Sequence, residues 1–319
     1  MQGSAVARGL GLALAVTLAA DCARQAPGPP SRFSVRLVTS ATLSGRWECA
    51  AERGLGRIAS ELDADVARLR VVDEAESRAR LAELGGAGTD VVFCVGSGLE
   101  RAVYSEAPDY PETVFILLPG RARQANVAGI DFLSEGVGYL AGAVAAAVAP
   151  GRRVGVVRGS GGPWLEAVEE GFAAGFRSRD RRAVVETAAG VDGMSALAEA
   201  GVGLALYATD RAEPEVLEVA VRSGMRLVAT DPELMAGSPQ LVVAAIDVDV
   251  AEAMVRVARE VRDGTFVGRV FSFDLGSGVL DVQISGSLLP ETRTAAREAM
   301  ETARAEVTAG FVEIDELGL

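Results

Sequence analysis

Strand-like and helix-like segments alternate along most of this 319-residue chain, and this alternation constrains the fold more than any other feature. Residues 89–95 (TDVVFCV) and 114–118 (VFILL) are nearly continuous apolar runs, as expected of parallel strands that helices cover on both faces. Amphipathic helical patterns, such as residues 46–62, lie between the strands. This β–α repetition predicts an α/β protein with right-handed crossovers and a doubly wound parallel sheet.

The alternation restarts at residues 153–157 and continues to residue 229, which predicts a second lobe of the same kind. A segment rich in glycine and alanine, residues 135–148, precedes the restart and is followed by Pro150. It is only about four helical turns long, too short to span a membrane, which takes roughly 20 residues. We therefore expect a helix that packs closely against the second lobe.

Composition excludes several classes of function. A net charge of -13 disfavours a nucleic-acid partner, because phosphate binding needs a basic surface. All 31 basic residues are arginine, and the chain has neither histidine nor lysine, so the usual catalytic dyads, imidazole metal ligands and phosphate-binding lysines are absent. We expect no enzyme, no metal site and no cofactor.

The first 22 residues have the pattern of an export signal, with Arg8 ahead of an apolar core at residues 9–20. Cys22 ends a sequence similar to a bacterial lipobox, which would make it the acylated residue of a lipoprotein. Asp21 departs from that motif, so ordinary cleavage near Ala20 remains the alternative. Residues 23–32 form a linker rich in proline. The other two cysteines, Cys49 and Cys94, are expected to be separate, largely buried thiols, and a disulfide between them in an exported protein is the alternative.

Several segments in order carry a resemblance to a known family: residues 96–103 (GSGLERAV), 107–115 (APDYPETVF), 126–142 (NVAGIDFLSEGVGYLAG), 159–175, 263–268 and 289–310. They resemble the basic membrane protein family of bacterial substrate-binding lipoproteins, which includes purine-nucleoside receptors of ABC importers. The resemblance implies the type I periplasmic-binding-protein fold, in which two Rossmann-like lobes with parallel sheets are joined by a three-segment hinge.

On this basis the chain divides into five parts. The expected N-terminal lobe comprises residues 33–128 and 248–270, and the C-terminal lobe comprises residues 129–247 and 271–289. The signal peptide (1–22) and linker (23–32) precede them, and a C-terminal helix and tail (290–319) follow. The chain crosses between the lobes near Gly129, Val248 and Phe271.

In open parallel sheets, ligands bind beyond the carboxyl ends of the strands. The residues at those ends form the candidate ligand-binding set: Ser40, Trp47, Glu48, Gly96, Ser97, Trp164, Tyr207, Asp210 and Asp231.

Two of these candidates match functional positions of the family. The resemblance implies that Trp47 stacks on the ligand and that Asp231 accepts hydrogen bonds from hydroxyl groups. The alternatives are that Trp47 packs against the sheet and that Asp231 caps the helix after it. Pro119 and Ile246 replace an acidic residue and a lysine that nucleoside receptors carry, which indicates a different ligand.

The carboxylates of the candidate set, Glu48, Asp210 and Asp231, would bind hydroxyl or amine groups better than a phosphate, unless Arg46 offsets their negative charge. The predicted function is an extracytoplasmic receptor that captures a small polar ligand and delivers it to an ABC transporter permease. We expect a monomer, held at the membrane by the lipid anchor or free in the periplasm. The alternative is a ligand-sensing protein of the same fold without transport. An enzyme that uses a bound nucleotide is disfavoured, because the glycine loop at residues 159–162 lacks dinucleotide-binding spacing.

Overall fold

The structure, a computed structural model, describes residues 32–41, 43, 45–96, 98–121, 123–149 and 151–310. The predicted signal peptide, the candidate lipidation residue Cys22, the candidate ligand-binding residue Ser97 and the last nine residues lie outside the described residues.

The strands are numbered along the chain. They are β1 (Ser34–Ser40), β2 (Asp65–Val71), β3 (Val91–Val95), β4 (Val114–Leu118), β5 (Arg123–Gln124), β6 (Val127–Phe132), β7 (Arg153–Arg158), β8 (Val184–Ala189), β9 (Leu204–Ala208), β10 (Arg226–Ala229), β11 (Val242–Val248), β12 (Val270–Phe273) and β13 (Leu280–Ile284).

The helices are numbered in the same way. They are α1 (Arg46–Glu61), α2 (Glu74–Gly86), α3 (Glu100–Glu106), α4 (Ser134–Val148), α5 (Pro163–Arg179), α6 (Gly190–Glu199), α7 (Pro214–Ser223), α8 (Pro232–Gly237), α9 (Val250–Arg262) and α10 (Pro290–Thr308).

The strands form two parallel-dominated sheets. The first has the order β12-β6-β4-β3-β1-β2, with the short strand β5 paired antiparallel to β6. The second has the order β13-β11-β10-β9-β7-β8, with β13 antiparallel to β11. We call the parts built on these sheets the first and second lobes. All five residues of β3 and of β9 are buried, as predicted for central parallel strands.

The chain passes between the sheets three times: after β6, after β11 and after β12. Two lobes with parallel sheets and three connecting segments are thus confirmed. Gly129 pairs with Leu117 of β4, and Phe132 pairs with Phe273 of β12. Strands β6 and β12 therefore stay in the first sheet up to Phe132 and Phe273. The first and third crossings therefore lie a few residues later than the sequence-based positions at Gly129 and Phe271.

Helix α9 shows why particular segments form the elements they do. Asp249 accepts a hydrogen bond from the backbone N–H of Glu252 at 2.8 Å and so caps the helix. Its apolar residues recur every three or four positions, and Met254 and Ala251 pack against Gly54 of α1. This packing attaches α9 to the first lobe, whereas α4 and α10 pack against elements of the second lobe.

The two cysteines in the described part of the chain are separate free thiols, as expected. Cys94 is buried in β3, but Cys49 is exposed on α1. The expectation that both thiols are buried is thus wrong for Cys49. Trp47 and Ala50, one helical turn apart, are buried against the core. Cys49 lies on the side of the helix away from Trp47.

Candidate functional site

Three segments from both lobes meet at the carboxyl ends of the sheets. The first is the N-terminus of α1 with Arg46 and Trp47, which belongs to the first lobe. The others are the N-terminus of α5 with Trp164 and the loop after β9 with Asp210, which belong to the second. We call these four residues the interlobe cluster.

Asp210 joins the two lobes through its carboxylate. Its Oδ1 atom accepts hydrogen bonds from the indole Nε1 of Trp47 at 2.9 Å and of Trp164 at 2.8 Å. Its Oδ2 atom accepts a bond from the backbone N–H of Gly162 at 3.3 Å, and its own N–H donates to the carbonyl of Ser160 at 2.7 Å. One aspartate therefore binds neutral donors from both sides of the cleft.

The approach of the lobes at this point is close enough to require a glycine. Gly45, which precedes α1, has φ 76°, a conformation that favours glycine. A Cβ atom at this position would lie 2.7 Å from the carbonyl oxygen of Asp210. The start of α1 thus touches the backbone of the second lobe.

Aromatic rings line the same region. The rings of Trp47 and Trp164 are 5.5 Å apart between centroids and nearly perpendicular, at 86°. Trp47 also lies 5.8 Å from Phe132, which is in turn 6.1 Å from Phe273. Because Phe132 and Phe273 end the strands from which the chain crosses to the second lobe, the aromatic contacts connect the cluster with the crossing segments.

Arg46 is the buried cation of the cluster. Its guanidinium carbon lies 4.7 Å from the ring centroid of Trp164 and 5.3 Å from that of Trp47, both within cation–π distance. Only 9% of the residue is exposed, and its Nη1 atom is buried without a hydrogen-bond partner. Burial lowers the pKa of Arg46, while the charges of Asp231, Asp210 and Asp247 oppose that change. In the described part of the chain, none of these carboxylates is near enough to form an ion pair with it.

The charges of two further aspartates, Asp231 and Asp247, act on Arg46. Asp231 accepts a hydrogen bond from the backbone N–H of Glu233 at 3.0 Å and so caps α8, and its charge also acts on Arg46. Asp247 accepts a bond from the side-chain amide of Gln283 at 2.7 Å. Asp247 also lines a polar cavity of about 250 Å³ together with Arg53, which forms a 3.2 Å ion pair with Glu233 across the lobes.

The remaining candidates lie in three other places. Ser40 and Gly96 lie side by side at the ends of β1 and β3. Glu48 forms an ion pair with Arg70 at 3.4 Å, within the first lobe. Tyr207 is fully buried, and its hydroxyl accepts a bond from the backbone N–H of Glu213.

Of the predicted set, the structure brings together Trp47, Trp164 and Asp210, with Asp231 nearby through its charge. Tyr207 packs with Val157 and Met194 in the core under the sheet, so we leave it out of the site. Arg46 was absent from the predicted set. A positive charge at a helix N-terminus is unfavourable, and this could have identified Arg46 as a candidate. No sequence feature identified Asp247 or Phe132 as site residues, because an aspartate and an apolar residue are common at strand ends.

The described residues contain neither a metal site nor a membrane-spanning helix. Among them, no group of three or more cysteine, aspartate or glutamate side chains is arranged to hold a metal ion. None of the helices in the described ranges is both long and apolar enough to cross a membrane.

Comparison with known proteins identifies the family of the chain. The family model for PnrA-like ABC transporter substrate-binding proteins, Bmp, matches residues 35–306. None of the curated proteins matches the chain.

Three solved structures are among those similar to the chain. A transcriptional activator of the comK gene from Bacillus halodurans is 23% identical, with a TM-score of 0.75, and the match covers 85% of this chain and 97% of that one. A solute-binding protein of an ABC transporter system from Aeropyrum pernix is 20% identical, with a TM-score of 0.71 and coverage of 88% and 92%. One from Conexibacter woesei is 19% identical, with a TM-score of 0.71 and coverage of 88% and 97%.

These structural similarities establish the fold, and the family match establishes the class of protein. Substrate-binding proteins of ABC importers are extracytoplasmic, bind small ligands and work with an ABC permease, and they are not enzymes. The family match thus confirms the resemblance inferred from the sequence and the expectation that the chain is not an enzyme. The chain belongs to the Bmp family of PnrA-like ABC transporter substrate-binding proteins.

Proposed function

We propose that this protein captures a small polar solute in the cleft between its lobes and delivers it to an ABC importer. The observation that carries this proposal is the interlobe cluster: Trp47 from the first lobe and Trp164 from the second donate to the same oxygen of Asp210. A ligand that contacts both lobes at this cluster would shift the equilibrium between open and closed forms.

The proposed binding residues are Trp47, Trp164, Asp210 and Asp231, with Ser40 and Gly96 at the strand ends of the first lobe. The helix-capping bond of Asp231 uses only its Oδ1 atom, so its second oxygen can accept a bond from a ligand. A nucleoside is disfavoured as the ligand, because Pro119 and Ile246 cannot supply the charged contacts of nucleoside receptors.

We further propose that the protein works at the outer face of the cell membrane, anchored through Cys22, as a monomer. Acylation of Cys22 is tested by mass spectrometry of the membrane-extracted protein. An unmodified protein in the soluble fraction would contradict the anchor and support simple export.

The binding role is tested by identifying small molecules that co-purify with the protein from Ser31 onward. The compound is released by denaturation, identified by mass spectrometry and titrated back by calorimetry. Trp47→Ala and Asp231→Ala should each weaken its binding, by about tenfold if each removes about 1.4 kcal/mol. The exposed Cys49→Ser change on the same helix is the control and should leave the affinity unchanged.

A sensing role is the second candidate, because one of the structurally similar proteins is a transcriptional activator. The two roles differ in what loss of the gene does. Import predicts loss of uptake of the labelled compound in a deletion strain, with recovery by the wild-type gene. Unchanged uptake, with altered transcription in response to the compound, would favour sensing.

A further inference from the structure

The feature that the proposed function leaves unexplained is the environment of Arg46. A guanidinium group has five N–H donors and is always charged, and burying it is costly unless an acceptor compensates. Here only 9% of the residue is exposed, and Nη1 lacks a partner. The contacts with the rings of Trp47 and Trp164 offer no oxygen acceptor. The cluster therefore presents a buried donor that needs an anionic partner.

The carboxylates of Asp210, Asp231 and Asp247 do not supply this anionic partner. The three bonds to Asp210 come from Trp47, Trp164 and Gly162. Asp231 accepts its bond from the backbone of α8, and Asp247 accepts one from Gln283. Among the described residues, each of these aspartates acts on Arg46 through its charge without forming an ion pair with it.

The charges around Arg46 restrict what the anionic partner can be. With three aspartates close to one arginine, a dianionic phosphate would meet strong repulsion. A single carboxylate adds less negative charge and matches the planar donors of a guanidinium. A cationic group on the same molecule would in turn be attracted to Asp231 and Asp247, each of which keeps an oxygen that accepts no hydrogen bond from the described residues.

We infer that the solute bound in this cleft is a small zwitterion, whose carboxylate accepts a hydrogen bond from Nη1 of Arg46 and whose ammonium group faces Asp231 and Asp247. This inference rests on the proposed function, since it names the chemical class of the ligand for the same cleft. It also explains why a cation occupies the first turn of α1, where the helix dipole disfavours it.

The experiment compares matched probes by thermal shift and then by calorimetry. The probes are free amino acids, their carboxamides, their N-acetyl derivatives and a pool of neutral nucleosides. Free amino acids should stabilise the protein. The best one should bind about 10–100-fold more tightly than its carboxamide, which corresponds to the loss of one charge-assisted hydrogen bond. The N-acetyl derivative should be weakened as well, because it lacks the ammonium group.

Variants assign the discrimination to Arg46. Arg46→Gln should weaken binding of the free amino acid about 10–100-fold and leave binding of the carboxamide nearly unchanged. Arg46→Lys should recover part of the loss, because it restores charge without the planar donors. Arg57→Gln, the same change on the same helix, is the control, because Arg57 pairs with Glu61 and Glu252 within the first lobe. It should not alter the preference for the carboxylate.

The melting temperature without any probe gives a second readout. If Arg46 is kept for the ligand, Arg46→Gln removes a buried cation that lacks a partner, and the melting temperature should stay the same or rise. A fall of more than about 5 °C would show that Arg46 mainly stabilises the fold, and would overturn the inference.

The outcomes also separate this inference from the proposed function. Equal affinity for acid and carboxamide, or an Arg46→Gln variant with unchanged affinity, overturns the zwitterion. Stabilisation by nucleosides alone supports solute binding and overturns the zwitterion. If no probe class stabilises the protein and no compound co-purifies with it, both proposals fail.

Discussion

The side chain of Asp210 accepts hydrogen bonds from both lobes. It accepts three hydrogen bonds, from Trp47, Trp164 and the backbone of Gly162. Only 5% of Trp47 is exposed, so water can replace the Asp210 carboxylate as the acceptor for the Trp47 indole only if the lobes separate. Removing the carboxylate should therefore affect both stability and closure.

We predict that Asp210→Ala lowers the free energy of unfolding by about 1–3 kcal/mol, because it leaves a buried indole N–H without an acceptor. Asp210→Asn should be less damaging, since its amide oxygen still accepts from an indole. Urea denaturation measures the difference. Asp231→Ala is the matched control for loss of an aspartate at a helix start, and should cost about 1 kcal/mol through loss of the cap. A loss no larger than the control's would contradict the role of Asp210.

The sequence predicted some residues of the site and missed others for physical reasons. Strand ends locate the loops, so the alternation alone could predict that Trp47, Trp164 and Asp210 lie close together, as the structure shows. Tyr207 is the next-to-last residue of β9, which is buried on both faces, so the apolar pattern does not show on which face of the sheet its side chain lies. The role of Arg46 depends on burial between elements distant in the chain, which no local pattern records.

The two cysteines of the described region should differ in reactivity. Burial raises the pKa of the Cys94 thiol, so at pH 8 it stays protonated as well as inaccessible, and the thiolate is the reactive form. Cys49 is exposed on α1. We predict that iodoacetamide at pH 8 labels Cys49 in the native protein and labels Cys94 only in denaturant. Peptide mapping by mass spectrometry reads out each site, and rapid native labelling of Cys94 would contradict its burial.

At the scale of elements, α4 and α5 approach each other unusually closely. A Cβ atom on Gly142 would lie 2.1 Å from the carbonyl oxygen of Phe172, and one on Gly175 would lie 2.0 Å from that of Tyr139. Backbone atoms cannot move aside as flexible side chains can. The glycines of the segment at residues 135–148 therefore permit helix packing in the second lobe.

We predict that Gly142→Ala destabilises the protein by about 1–3 kcal/mol or more, because the added methyl group overpacks the α4–α5 interface. Gly56→Ala is the matched control in α1, since an added Cβ there meets no atom within 4 Å. It should stabilise the protein by about 0.5–1 kcal/mol through helix propensity. Thermal and urea unfolding compare the two variants, and equal effects would argue against close packing of α4 on α5.

The bounds of elements with a clear apolar pattern could be predicted to within a residue or two, whereas elements with an interrupted apolar pattern could not be predicted. The helical pattern at residues 46–62 corresponds to α1 (Arg46–Glu61), and the apolar run at residues 114–118 has the same bounds as β4. Strand β6 did not stand out, because Gly129 and Asp131 interrupt its apolar run. Its glycine is explained only by the structure: a Cβ atom there would lie 2.0 Å from the carbonyl oxygen of Gly120.

At the scale of the molecule, the fold follows from patterns that receptors for many different solutes share. The two sheets follow from the β–α alternation and its restart, and the three crossings are those that the resemblance implied. The choice of ligand depends on a few side chains, and the resemblance implies that Pro119 and Ile246 occupy positions where nucleoside receptors carry charged residues. The family could therefore be recognised from the sequence, whereas the proposed ligand class rests on the burial and ring contacts of Arg46, which only the structure shows.

The chain offers a direct optical readout of lobe closure, because its only two tryptophans, Trp47 and Trp164, both belong to the interlobe cluster. Separation of the lobes would break their bonds to Asp210 and expose Trp47 to water. We predict that Asp210→Ala shifts the tryptophan emission to longer wavelength and increases the radius of gyration in small-angle scattering, because the open form becomes more populated.

The Gly56→Ala variant is the control for this measurement and should emit as the wild type does, since Gly56 lies away from the cluster. In a Trp164→Phe variant, Trp47 is the only tryptophan. Adding Asp210→Ala to this variant should still shift the emission to longer wavelength, because Trp47 belongs to the first lobe and separates from the second lobe when the lobes open. Superimposable emission spectra and scattering curves for the wild type and Asp210→Ala would show that closure does not depend on this carboxylate. Closure would then rest on the remaining interlobe contacts, such as the ion pair between Arg53 and Glu233.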